Sequence, residues 1–208
     1  MRKLLVIITM FVTSYIVYYY LEYRSQGSVK VSLVTEGHPA QGTGNVSIVT
    51  FQDLRCSGCR YFYHHTYPKL KKRYIDTGKV RYVVIPLAFL PGSKELAHGA
   101  LVAQTFGDAY FFAYIEFLYE NGHRQNDSTE TLLQKAVMAS GVPKDAFQKR
   151  AALFDSEKGL ESNFQQAKQA MGQIATPGIF VEGADLSEAS LRDMIRYIDR
   201  KVWESGHE

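Results

Sequence analysis

Cysteine is scarce in this chain. Its 208 residues hold two, and both sit in Cys56-Ser57-Gly58-Cys59. A secreted protein that uses cysteines as staples spreads them along the chain. A bond between residues three apart closes too small a loop to constrain the unfolded chain much. A structural disulfide therefore explains this pair poorly. Charge of one sign is also lacking: 24 Lys and Arg stand against 21 Asp and Glu. The net +3 gives no case for nucleic acid as a partner. The one basic run, Lys69-Leu70-Lys71-Lys72-Arg73, reads as a solvated helix face. Internal repeats and low-complexity tracts do not stand out. What is present is ordinary for a globular protein, 46% hydrophobic and 22% charged, long enough for one moderate domain and a short appendage.

The appendage is at the N-terminus. Arg2 and Lys3 precede a mainly apolar stretch from Leu4 to Leu21. A positive start followed by an apolar run reads as an export signal. Its length exceeds the usual signal-peptide core and approaches a bilayer-spanning helix. Leu21-Glu22-Tyr23-Arg24 offers no small-residue cleavage site, and Tyr18, Tyr19, Tyr20 and Tyr23 suit a membrane–water interface. The expectation is a signal anchor over residues 1–23, with a cleaved signal peptide as the alternative. Arg2 and Lys3 would keep the N-terminus cytoplasmic and place the rest outside. No cysteine near the segment's end is available for lipid attachment.

Residues 24–44 form a tether. Alternation at Val29, Val31 and Leu33 predicts a first edge strand, and residues 37–44 a loop. Asn45 to Phe51 is β-rich and predicts a central strand, and Val80 to Pro86 a second one. Between them Tyr61, Phe62, Tyr67, Leu70 and Tyr74 recur at helical spacing, and Thr77-Gly78 supplies a stop. Helices are then expected from Ser93 to Met171 in several pieces, a strand at Gly178 to Val181, and a last helix from about Ser187 to Trp203. The expected fold class is α/β: residues 45–208 form the core, with a helical insertion at about 93–171 between its second and third strands.

The cysteines fall at the junction of the first strand and helix. Residues i and i+3 on one helical turn are close enough for a disulfide. The first, at the exposed helix end, gains thiolate stabilisation from unpaired N–H groups and the dipole. Cys56 can attack a substrate disulfide, and Cys59 can resolve the product. Arg55 and Arg60 flank the pair and would add modest stabilisation. The competing chemistry is a metal site, but four ligands are needed and no second cysteine pair exists. His64 and His65 are consecutive, so on a helix they point about 100° apart and make a poor two-ligand face. They read as surface residues, and no metal is assigned. Farther on, Ile174-Ala175-Thr176-Pro177-Gly178 places a proline directly before a strand, which fits a cis-proline loop.

Taken together, these motifs have a family likeness. Phe51-Gln52-Asp53-Leu54-Arg55-Cys56-Ser57-Gly58-Cys59 resembles the active-site segment of the DsbA-like thioredoxin-fold oxidoreductases. Tyr67-Pro68-Lys69-Leu70, with Tyr74 to Arg81, is similar to that family's active-site helix and next strand. The resemblance spans about residues 45–200 and is nearest to the membrane-anchored bacterial members. It implies a thioredoxin-like fold with an inserted helical domain, Cys56 as nucleophile and Cys59 as resolving thiol. It also implies Ser57, Gly58, Thr176 and Pro177 as substrate-binding and redox-tuning residues. The expected activity is disulfide exchange in exported proteins or peptides, with moderate oxidising power. A disulfide reductase is the alternative, and a Cys/His metal-binding module a more distant one. No cofactor is expected. Expected partners are thiol- or disulfide-bearing substrates, a membrane redox partner and the membrane itself, with the chain a monomer. The expected location is the bacterial cell envelope, on the extracytoplasmic side of the inner membrane.

Three departures from the family pattern stand out. The dipeptide between the cysteines lacks histidine. Thr50 occupies the position, six before the nucleophile, where family members often bury an acid. Residues 182–186 leave little room for the second strand of a terminal hairpin.

Overall fold

The computed structural model describes residues 11–18, 30–121 and 128–207. Five strands form one sheet: β1 (Ala40–Gln41), β2 (Val46–Asp53), β3 (Val80–Leu87), β4 (Gly178–Val181) and β5 (Ala184–Asp185). Their order is β1-β3-β2-β4-β5. β2 and β3 run parallel, with Val46 opposite Val80 and Asp53 opposite Leu87. The other pairs are antiparallel. The parallel pair needs a crossover. It is built by α1 (Ser57–His65), α2 (Tyr67–Leu70) and a π-helical turn at Lys71–Ile75. Gly78, at φ 68°, turns the chain into β3.

After β3 come α3 (Ser93–Gln104), α4 (Asp108–Asn121), α5 (Thr129–Ser140), α6 (Lys144–Leu153) and α7 (Glu157–Met171). The chain then enters β4, and α8 (Leu191–Ser205) follows β5. Both central strands are buried almost throughout, so sequence parity assigns each residue to one face of the sheet. Ile48, Tyr82 and Val84 join the core that includes α1, the insertion helices α3–α6 and α8. Val49, Phe51, Val83 and Ile85 join a second core closed by Ala167 of α7. The last helix of the expected insertion is thus a cover for the sheet's second face.

Val31 and Leu33 are not in a strand, and Val29 lies outside the described residues. The edge is Ala40–Gln41, inside the stretch read as a loop. Two residues are too few to show an alternation pattern. The terminal hairpin does have its second strand, at Ala184–Asp185. Glu182 and Gly183, at φ 50° and 76°, make the tight left-handed turn that lets so short an interval suffice. Of the apolar segment 4–21, residues 11–18 are helical and the remainder lies outside the described residues. No helix among the described residues is long and apolar enough to cross a membrane.

Candidate active site

β2 delivers the site. Its last residue, Asp53, is fully buried, and its carboxylate organises the turn that follows. One oxygen accepts from Arg55 N at 2.8 Å. The other accepts from Phe89 N at 3.0 Å and Leu90 N at 3.1 Å, fixing the loop after β3 beside the turn. Cys56 N donates to Asp53 O at 3.0 Å. Cys56 thereby becomes the N-cap residue of α1, with extended backbone at φ −76° and ψ 124°. Its sulfur sits at the helix end, where N–H groups lack intrahelical partners.

Both cysteines are free thiols, and they are unequal: Cys56 is half-buried and Cys59 wholly buried. The Cys56 thiol is pulled down to about 5. The hydrogen bond from the Cys59 side chain is the largest cause. Partial burial opposes it, and Thr176 and the backbone N–H groups of Cys59 and Gly58 add to it. Cys59 is pushed well above its ordinary value, first by burial and then by the neighbouring Cys56 sulfur. One thiol of the pair is therefore a thiolate at neutral pH and the other a protonated donor to it.

The loop before β4 closes the site from the other side. Thr176-Pro177 is a cis peptide, as the sequence led us to expect. Cys56 Sγ lies 3.2 Å from the Thr176 carbonyl oxygen. Gly58 permits this approach. A Cβ there would come 2.9 Å from Thr176 O, 3.3 Å from Pro177 Cδ and 3.5 Å from Cys56 Sγ. Ser57 is exposed beside them. The six residues singled out in the sequence, Cys56, Ser57, Gly58, Cys59, Thr176 and Pro177, thus converge at one place.

The flanking arginines do something else. Arg55 Nη2 donates to Thr129 Oγ1 at 2.7 Å, and Arg60 Nε to Tyr119 O at 2.9 Å. These hydrogen bonds run to the inserted helices and not to the sulfur. His64 lies 3.2 Å from Tyr119 O, and His65 pairs with the Tyr61 ring, both toward the far end of α1. Among the described residues no three His, Cys, Asp or Glu side chains converge as metal ligands.

Beneath the pair lies a polar cluster that sequence reasoning missed. Thr50, Gln52, Tyr82 and Tyr119 are each at most 2% exposed. Gln52 Nε2 donates to Thr50 Oγ1 at 2.8 Å and to Tyr82 Oη at 2.7 Å. Gln52 Oε1 accepts from Tyr119 Oη at 2.7 Å, and Thr50 Oγ1 donates to Tyr82 Oη at 3.1 Å. Where family members often bury an acid, this chain has a satisfied neutral network. Thr50 and Gln52 share one face of a buried strand, but Ser47 and Asp53 are polar in it as well, so the alternation alone did not single them out. Asp53 was missed because a carboxylate at a strand end looks like an exposed connection.

The family described as Thioredoxin matches residues 35–200. A Rickettsia prowazekii protein named as a protein-disulfide oxidoreductase is 26% identical over 167 residues, 76% of this chain and 58% of that protein. The chain thus spans somewhat under three fifths of the Rickettsia relative's length. A Bacillus cereus protein named as disulfide bond formation protein D is 25% identical over 186 residues, 86% of this chain and 84% of that protein. Among solved structures, BdbD of Bacillus subtilis superposes with a TM-score of 0.74 at 21% identity, covering 85% of this chain and 99% of that one. Chlamydia trachomatis DsbA gives 0.70 at 19% identity, covering 85% and 95%. The chain belongs to the thioredoxin family, with the helix-inserted fold of the DsbA proteins.

Proposed function

We propose that this chain is a thiol–disulfide oxidoreductase that supports disulfide formation in exported proteins, using Cys56 and Cys59. The observation that carries the reading is the asymmetry of the pair: a half-exposed Cys56 thiol pulled down to about 5 above a buried, protonated Cys59. In the oxidised protein a substrate thiolate attacks Cys56 Sγ, the Cys56–Cys59 bond breaks, and Cys59 leaves with the electron pair and takes up a proton. A second substrate thiolate then attacks the substrate sulfur of the mixed disulfide. The substrate disulfide forms and Cys56 leaves as a thiolate. A low pKa makes Cys56 a good leaving group, which favours this direction. The edge of the cis-proline loop beside Cys56 offers backbone to an extended substrate chain.

The apolar run 4–21 behind Arg2 and Lys3 supports an anchored, extracytoplasmic placement. The names of the relatives agree with an enzyme that acts on protein disulfides. The test is the reduction potential of the Cys56–Cys59 couple. We expect a value between roughly −120 mV, typical of a strong oxidant, and roughly −270 mV, typical of a reductant, and nearer the former. A value at or below the reductant end would make the enzyme a reductase. Cys56→Ser should abolish peptide oxidation. Retained activity would end the proposal.

A further inference from the structure

The sheet gives the catalytic domain two poles. Cys56 follows the carboxyl end of β2, and Val46 begins that strand at the other end. At the Val46 end lie Lys79, directly before Val80, and the Glu182–Gly183 turn, whose Glu182 carboxylate accepts from Ser47 N at 2.6 Å. Val31 N donates to Gly183 O at 2.9 Å, so the tether enters at this end as well. α8 starts near the active-site end, where Ile179 N donates to Ser187 Oγ at 2.9 Å, and runs away from it. Its later half meets the π turn: Arg73 Nη2 donates to Asp199 Oδ2 and Tyr74 Oη to Asp199 Oδ1, both at 2.8 Å. Trp203 is one turn beyond Asp199.

This pole is basic and carries the chain's only tryptophan. Trp203 is 64% exposed. Lys72 and Lys79 are exposed and enter no ion pair among the described residues. The local carboxylates are engaged: Asp76 by Lys71, Asp199 by Arg73, Glu204 by Lys201 and Arg200, and Glu182 by Ser47. Lys201, and more weakly Arg200 and Lys30, hold Glu204 below the usual carboxylate range, so the tether's Lys30 lies within electrostatic reach of the end of α8. Tryptophan and basic residues together are the composition of a membrane–water interface.

We propose that this pole rests on an anionic lipid surface, with Trp203 at headgroup level and Lys72 and Lys79 over lipid phosphates. The inference rests on the reading of residues 4–21 as an anchor. From Leu21 to Lys30 the chain reaches about 30 Å even when fully extended. The tether keeps this pole within about 30 Å of the bilayer, and the lysines and Trp203 turn it, and not Cys56, toward the lipid. The run from α1 through the π turn sets Cys56 on the order of 25 Å farther out, facing soluble chains.

The test uses the full-length protein in phosphatidylglycerol–phosphatidylcholine vesicles that carry a lipid spin-labelled near its carbonyl. All indole emission comes from Trp203. We expect the label to quench that emission about twofold, as for an interfacial indole. Quenching should weaken in pure phosphatidylcholine and in the Lys72→Glu, Lys79→Glu variant. Bulky maleimides should reach Cys56 as fast in vesicles as in detergent. Flotation with vesicles at high salt reports the anchor separately. Protein that floats with unquenched Trp203 overturns the proposal and leaves the anchor standing. Quenching that ignores lipid charge and the lysine exchange overturns the anionic surface. Protein that fails to float overturns both the anchor and this inference, while peptide oxidation in detergent still reports the catalytic reading.

Discussion

At the scale of single residues, the site turns on the space above Gly58. The sulfur of Cys56 is held by donors that include Cys59, Thr176 and the backbone of residues 58 and 59. That convergence requires the Thr176–Pro177 loop to sit against Gly58. Alanine at position 58 places a methyl 2.9 Å from a backbone oxygen, which a side-chain rotation cannot relieve. The loop must shift, and Cys56 should lose part of its support. We expect Gly58→Ala to raise the Cys56 pKa from about 5. The rise should be about one unit, the worth of one modest hydrogen bond. Thiolate absorbance against pH measures it, and an unchanged midpoint would show that the loop spacing does not set the pKa. The same crowding bears on histidine, the residue absent from the dipeptide. A Ser57-Gly58→Pro-His exchange adds an imidazole donor, which strengthens the oxidant, and also displaces the loop, which weakens it. Gly58→Ala isolates the second effect.

At the scale of elements, Tyr119 of α4 ties the insertion to the catalytic core in three ways. Its hydroxyl donates to Gln52 of β2, its carbonyl accepts from Arg60 of α1, and its ring stacks on Tyr63 at 5.2 Å. Tyr119→Phe keeps the ring and carbonyl but leaves the buried Gln52 oxygen without this donor. The expected cost is about 1–3 kcal/mol in urea unfolding. No measurable loss would show that water or a rearranged Gln52 replaces the donor. This network also marks where the sequence was and was not legible. β2, β3 and β4 could be read because each is a short β-rich apolar run, and the helices because apolar residues recur at helical spacing between start and stop signals. β1 and β5, two residues each, exist through pairing with β3 and β4, a tertiary cause that leaves no periodic trace. Cys56, Cys59 and the cis-proline loop were legible as motifs. Gln52, Tyr82 and Tyr119 were not, because their roles arise only when a strand, its neighbour and an inserted helix meet.

At the scale of the whole molecule, the thiolate links redox state to folding. A thiol ordinarily titrates at 9.0, and Cys56 titrates at about 5 in the fold. A depressed acid pKa stabilises the folded state fully above the unfolded value, and this stabilisation is lost as pH falls through the folded value. Cys59 acts oppositely: its raised pKa costs stability only above the unfolded value. Between pH 5 and 9, then, of the two cysteines only Cys56 changes its contribution, and that contribution grows with pH. The disulfide-bonded protein has no such titration, and its small closed loop gains little entropy. We therefore expect the reduced protein to be the more stable form at neutral pH, with a reduced-minus-oxidised difference that rises from pH 5 toward 9. Denaturant melts of both forms across that range measure it, and Cys56→Ser, which has a single form, should lack the thiolate's gain in stability that the reduced protein shows over the same range. A difference independent of pH would mean that the thiolate does not drive the redox balance. An oxidised form more stable at neutral pH would place the couple on the reducing side.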